Sequence, residues 1–202
     1  TGCSALGAYN FLQAGSVKPA QSNLAYGSHP RQTIDIYLPA PAAQPAPLLI
    51  WFYGGGWDSG NKGQYAFVAR RFTEMGYAVA IPDYRLVPEV RFPAFLNDGA
   101  AALKRVLDYA DLTPGILSSR PVILAGHSAG AYIAVQMVAD PAYLARVGLN
   151  REDIGGIIGL SGPYDFHPYV VGPAQAAFGQ APRAATQPVA QNLVHMPPLL
   201  LI

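Results

Sequence analysis

The stretch that most restricts how this chain can fold runs from Pro121 to Ala139. Pro121-Val122-Ile123-Leu124-Ala125 has the length and composition of a buried strand, and Ala131 to Ala139 reads as a buried helix. Between them stands Gly126-His127-Ser128-Ala129-Gly130. A turn this short brings the residues two places before and after the serine so close that side chains there would clash, and glycine occupies both. Such a turn lifts the Ser128 hydroxyl above the sheet edge. It also aims the N-terminus of the next helix at it, where free N–H groups and partial positive charge favour an oxyanion. Strand, G-x-S-x-G and helix in that order is the setting of a nucleophile elbow. The competing reading is a glycine-rich strand-to-helix turn with an incidental serine, and a second motif separates the two.

That motif is Leu48-Leu49-Ile50-Trp51-Phe52-Tyr53-Gly54-Gly55-Gly56-Trp57, an apolar strand running into three glycines. Three glycines in a row cost backbone entropy on folding, which points to a loop whose N–H groups must approach something closely. Acyl transfer needs such a loop, because the tetrahedral intermediate carries negative charge on the former carbonyl oxygen. Each preorganised donor at that oxygen is worth roughly 3–4 kcal/mol of barrier. A glycine loop after an early strand, with a serine elbow two strand-helix units later, is far rarer than either motif alone.

Further pieces follow in order: Pro82-Asp83-Tyr84-Arg85-Leu86-Val87-Pro88-Glu89, Phe92-Pro93-Ala94 with Asp98, the elbow, and Leu160-Ser161-Gly162-Pro163-Tyr164-Asp165. Over roughly residues 33 to 202 the chain resembles the α/β-hydrolase esterase/lipase group that includes hormone-sensitive-lipase-like and BD-FAE-like carboxylesterases. The resemblance implies a nucleophile at Ser128 and an oxyanion hole from the N–H groups of Gly55, Gly56 and Ala129. It makes Asp83, Arg85, Glu89 and Asp98 braces beneath the loop. Members usually begin the loop with histidine, which orients it through hydrogen bonds. Tyr53 stands there instead, and its hydroxyl can do the same or donate to the oxyanion. The triad order Ser, acid, His places the acid after the strand that begins near Pro197 and the histidine one strand later, so both are expected beyond Ile202. The implied fold is a doubly wound, mostly parallel α/β sheet lacking its last strand and helix.

The histidines present are His29, in a loop before the first strand and facing solvent; His127, packed away from Ser128; His167, after a strand C-terminus where α/β sites form; and His195, in a loop. Tyr53, Trp57 and His167 are the pocket-lining candidates, and Asp165 is a candidate acid that the family pattern makes structural. The expected reaction is hydrolysis of a small or medium carboxylic ester through an acyl-enzyme. A formamidase-like amide hydrolase and a catalytically inactive binding module or scaffold are the alternatives. A third reading is self-association through the apolar edge Leu199 to Ile202.

Composition narrows the rest. The 202 residues are 51% apolar and 12% charged with a net charge of +1, which suits one globular domain and gives no reason to expect a nucleic-acid partner. No apolar run reaches the ~20 residues of a membrane span. No metal-ligand spacing or nucleotide loop is present, so no metal or cofactor is expected. The one cysteine, Cys3, lies in Thr1-Gly2-Cys3-Ser4, which matches the end of a bacterial lipobox. Lipidation there would anchor the protein to a membrane in the cell envelope, at the periplasm or outer membrane; a lone thiol in a cytoplasmic protein is the other reading. Residues 1–25 read as a tail or tether and 26–202 as the hydrolase domain, incomplete at its C-terminus. Within it, strands are expected at 33–38, 48–53, 77–81 and 154–160, and helices at 64–75 and 97–110. The Ala/Pro-rich 39–47 is a connector, and the insertion 163–197 is either a lid carrying Tyr164, Phe166, Tyr169 and Phe178 or a packed crossover with a helix near 174–178.

Overall fold

The computed structural model describes residues 5–40, 46–113 and 121–202. In chain order the elements are α1 (Ala5–Ala14), β1 (Gln21–Ala25), β2 (Thr33–Tyr37), β3 (Leu48–Phe52), α2 (Ala66–Glu74), β4 (Ala78–Pro82), α3 (Ala94–Asp111), β5 (Val122–His127), α4 (Ala129–Ala139), α5 (Ala142–Ala145), β6 (Ile154–Leu160), α6 (Gly172–Phe178), α7 (Arg183–Thr186) and β7 (Leu199–Leu201). The strands form one sheet in the order β1-β2-β4-β3-β5-β6-β7. β2 is antiparallel to both β1 and β4, while β4, β3, β5, β6 and β7 run parallel. This is the doubly wound, mostly parallel α/β sheet that alternating strands and helices predict.

Leu48-Leu49-Ile50-Trp51-Phe52 is buried at every position because both faces of β3 are covered. Trp51 faces α2, with Tyr65 at a ring-centroid distance of 6.1 Å, and Phe52 faces α3 and α4. Every residue of α4 is buried, so its uniformly apolar sequence packs on β5 and β6 with one side and on α3 with the other. α3 starts three residues before the expected Asn97, directly after Pro93, and buries the stripe Leu96, Ala100, Leu103, Leu107 and Ala110. Gly99 lets the two helices close: a Cβ there would lie 2.9 Å from Ile133 Cγ2. β2 alternates, burying Ile34 and Ile36 while Thr33 and Asp35 are half-buried.

Residues 21–25, expected within a tail, form an edge strand instead, with Leu24 opposite Ile34 and Ala25 opposite Thr33. Gln-Ser-Asn-Leu-Ala carries little apolar signal because an edge strand paired on one side needs little. α1 also belongs to the domain: Tyr9 meets Phe67 edge-on at 5.1 Å, and the Asn10 amide donates to Gly63 O at 2.9 Å. Cys3 and residues 41–45 of the connector lie outside the described residues. The insertion 163–197 is a packed crossover, not a free lid. Phe178, Ala177 and Tyr169 are buried, and the Tyr132 hydroxyl of α4 donates to Thr186 O at 2.8 Å.

Candidate active site

The turn after β5 stores strain at one residue. Ser128 has φ 52° and ψ −119°, a region that costs a non-glycine residue on the order of 1–3 kcal/mol. The flanking glycines permit it by close backbone approach. A Cβ on Gly126 would lie 2.5 Å from the Gly130 carbonyl carbon, and one on Gly130 would lie 2.1 Å from Phe52 O. Gly126 therefore lets α4 double back over β5, and Gly130 seats α4 against the end of β3. The Ser128 N–H donates to Leu160 O at 2.8 Å, tying the turn to β6, and the Ser128 carbonyl accepts from Tyr132 N at 3.1 Å as the first bond of the helix.

The glycine loop faces this turn. Gly54 lies closest: its Cβ, if present, would stand 3.1 Å from Ser128 Cβ and 2.8 Å from His127 Nδ1. Gly55 (φ +136°) turns the chain where a Cβ would strike Ser59 O at 2.3 Å, and Gly56 (φ +58°) lies against Pro173. Among the described residues, the N–H groups of Gly55, Gly56 and Ala129 meet no acceptor, so they are free to bind one. The Gly54 N–H is engaged, donating to Tyr65 Oη at 3.3 Å. The N-terminus of the eleven-residue α4 adds its partial positive charge at Ser128.

Beneath the loop lies a polar layer. Tyr53, expected to line a pocket, is fully buried and points away from it. Its hydroxyl donates to Asp83 Oδ1 at 2.8 Å and accepts from Arg31 Nη2 at 2.7 Å. The ring stacks on Tyr84 at 4.7 Å and Tyr65 at 5.7 Å. Burial, then the neighbouring Tyr84 and Asp83, push the Tyr53 phenol far above its ordinary pKa, so it stays a donor. Its hydroxyl is thus engaged with Asp83 and Arg31 beneath the loop. Arg85 meets the buried Asp98 with two guanidinium nitrogens, Nη2 to Oδ1 at 2.7 Å and Nε to Oδ2 at 2.9 Å, and that hydrogen bonding raises the Arg85 pKa further. Glu89, expected as a brace, is exposed and reaches the layer only through His29, whose Nε2 it meets at 2.8 Å and whose Nδ1 accepts from Arg31 N at 3.1 Å.

The sequence profile of the BD-FAE family matches residues 34–177. The chain belongs to the BD-FAE family. A probable isoprenylcysteine alpha-carbonyl methylesterase of Oryza sativa subsp. japonica is 30% identical over 149 residues, covering 71% of this chain and 35% of that protein. Kynurenine formamidase of Drosophila melanogaster is 29% identical over 143 residues, covering 71% of this chain and 45% of that protein. The chain thus spans less than half the length of either relative. Among solved structures, esterase B from Lactobacillus Rhamnosis superposes with a TM-score of 0.77 at 21% identity, over 96% of this chain and 69% of that one. The sheet is that of the α/β-hydrolase fold.

In this BD-FAE chain the remaining sequence candidates do not converge on Ser128. Trp57 is 4% exposed and packs among Phe95, Tyr132, Phe166 and Phe178, so it forms an inner wall, not the lining of an open pocket. His167 is exposed and packs edge-on against Tyr169 at 5.2 Å, beside a cleft of about 370 Å³ that contains neither elbow nor glycine-loop residues. His127, expected to be packed, is exposed at the last position of β5, opposite Leu160 of β6. His29, expected to face solvent, is half-buried and bonds Glu89. His195 lies at the opposite side of β6, near Ile154 and Pro197. Asp165 pairs with Arg183 at 3.0 Å. Among the described residues, no histidine or carboxylate hydrogen-bonds the Ser128 hydroxyl. Sequence reasoning missed Gly54, Tyr65, Tyr84 and Arg31. Gly54 was legible as the first of the three glycines, whereas nothing near Arg31 in the sequence ties it to a loop that starts over twenty residues later.

Proposed function

We propose that the protein is a serine carboxylic-ester hydrolase working through an acyl-enzyme. The observation that carries this reading is Ser128 held in a strained turn against a loop whose Gly55 and Gly56 N–H groups, with that of Ala129, have no acceptor of their own. Ser128 Oγ attacks the ester carbonyl as a base takes its proton. The three N–H groups receive the oxyanion, the alcohol leaves with the proton, and water then cleaves the acyl-serine by the same steps. The base and its acid partner are proposed to follow Ile202. This fits the geometry of the last strand: Ser161 donates to Ile202 O at 2.6 Å, so β7 ends at the same sheet edge as Ser128. Similarity to a probable isoprenylcysteine methylesterase supports an ester substrate, and one of small or medium size is proposed.

Similarity to the Drosophila kynurenine formamidase favours a second reading, hydrolysis of an N-formyl aryl amide on the same serine. Assaying the protein as its gene encodes it on 4-nitrophenyl acetate and on an N-formyl anilide separates the two. The ester reading predicts acetate turnover that Ser128→Ala abolishes, with the anilide poor. Faster turnover of the anilide shifts the assignment to the amide, and acetate turnover that survives Ser128→Ala removes both.

A further inference from the structure

The glycine loop leaves β3 at Tyr53 and returns at Gly60 and Lys62, and a single guanidinium reaches both ends. Arg31 Nη2 donates to Tyr53 Oη at 2.7 Å and to Gly60 O at 2.7 Å, while Nε donates to Tyr84 O at 2.8 Å. Asp83 repeats the pattern from the acceptor side: its Oδ1 takes the Tyr53 hydroxyl at 2.8 Å and the Lys62 N–H at 2.7 Å. The two residues face each other at 3.8 Å, with Arg31 side chain 28% and Asp83 side chain 13% exposed. A planar, always-charged fork is suited to this task, because several of its donors are fixed by one plane. Gly55 and Gly56 have no side chains of their own with which to hold position.

We propose that Arg31, acting with Asp83 through the Tyr53 hydroxyl, is a positioning residue: it clamps both feet of the glycine loop and thereby sets where the Gly55 and Gly56 N–H groups point. As a matter of rate enhancement this rests on the ester-hydrolase reading above; as a matter of loop order it does not. Arg31 touches no reacting atom, and removing it frees the loop while leaving the elbow and α4 intact.

Hydrogen exchange tests the clamp without any turnover. The Asp58 and Ser59 amides, which both donate to Gly55 O, report loop opening and touch neither Arg31 nor Asp83. In Arg31→Met they are expected to exchange at least about tenfold faster, the effect of losing one charge-assisted bond, while amides of α4 keep their protection. Unchanged exchange in the folded variant overturns the clamp. Should Arg31→Met fail to fold, Tyr53→Phe keeps the stacked ring and deletes the shared hydroxyl, and unchanged exchange there overturns it equally. In turnover, Arg31→Met is expected to lower kcat about tenfold with KM within twofold, and Arg31→Lys to recover only part, since a point charge cannot hold both feet. A wild-type protein that hydrolyses no ester defeats the ester-hydrolase reading and leaves the exchange result to judge the clamp.

Discussion

The turn after β5 and the loop after β3 face each other, yet they are held by different physics. The turn after β5 is fixed by backbone sterics: a Cβ on Gly126 would collide with the Gly130 carbonyl inside the turn, one on Gly130 would collide with Phe52 O at the end of β3, and Ser128 takes a strained conformation between them. The glycine loop has inner bonds from Asp58 and Ser59 to Gly55 O, but its feet are held from outside, by Arg31, Tyr65 and Asp83, contributed by three separate parts of the chain. A locally enforced turn fails all at once when one atom is added. A loop held by a polar layer fails by degrees, as each bond carries part of the load. Ser128 and the loop that faces it are thus held by two different devices, which meet where Gly130 packs against Phe52 O.

Substitutions can break or sharpen that contrast. The largest effect is expected at Gly130→Ala, where the new Cβ would lie 2.1 Å from Phe52 O with only backbone to give way. A loss of about 5 kcal/mol, or no folded protein, should appear in urea unfolding. Next comes Asp98→Ala, which strands Arg85 without its buried partner and is expected to cost about 3 kcal/mol by the same measurement. A loss no larger than that of an exposed pair such as Arg70–Glu74 would show that the polar layer carries no load. Tyr53→Phe should cost about 1 kcal/mol, because the stacked ring remains and one hydroxyl is lost. The smallest change has the opposite sign: Ser128→Gly relieves the φ of 52° and should stabilise the fold by several tenths of a kcal/mol while ending turnover. A destabilised Ser128→Gly protein would mean the turn is not strained.

The same contrast explains what could be read from the sequence. The strand, tight turn and helix around Ser128, the fully buried β3 and the stripe of α3 from Leu96 to Ala110 are written in neighbouring residues, and they stand where spacing and apolar pattern put them. The clamp could not be read, because Arg31 lies 22 positions from Tyr53 and 53 from Tyr84, and no local pattern joins them. β1 was hidden for a related reason: its residues acquire strand structure only from pairing with β2. Tyr53 and Trp57 follow β3 in the glycine loop, but which way each points depends on Tyr84, Asp83 and Phe178, partners drawn from elsewhere in the chain.

The most direct test of the central claim, an activated Ser128 facing free loop donors, is the mass of the protein as its gene encodes it after treatment with an alkyl fluorophosphonate. The account predicts one phosphonyl adduct per chain, located on the peptide containing Ser128 and absent from Ser128→Ala. A folded wild-type protein that stays unmodified, or an adduct that persists in Ser128→Ala, would contradict it.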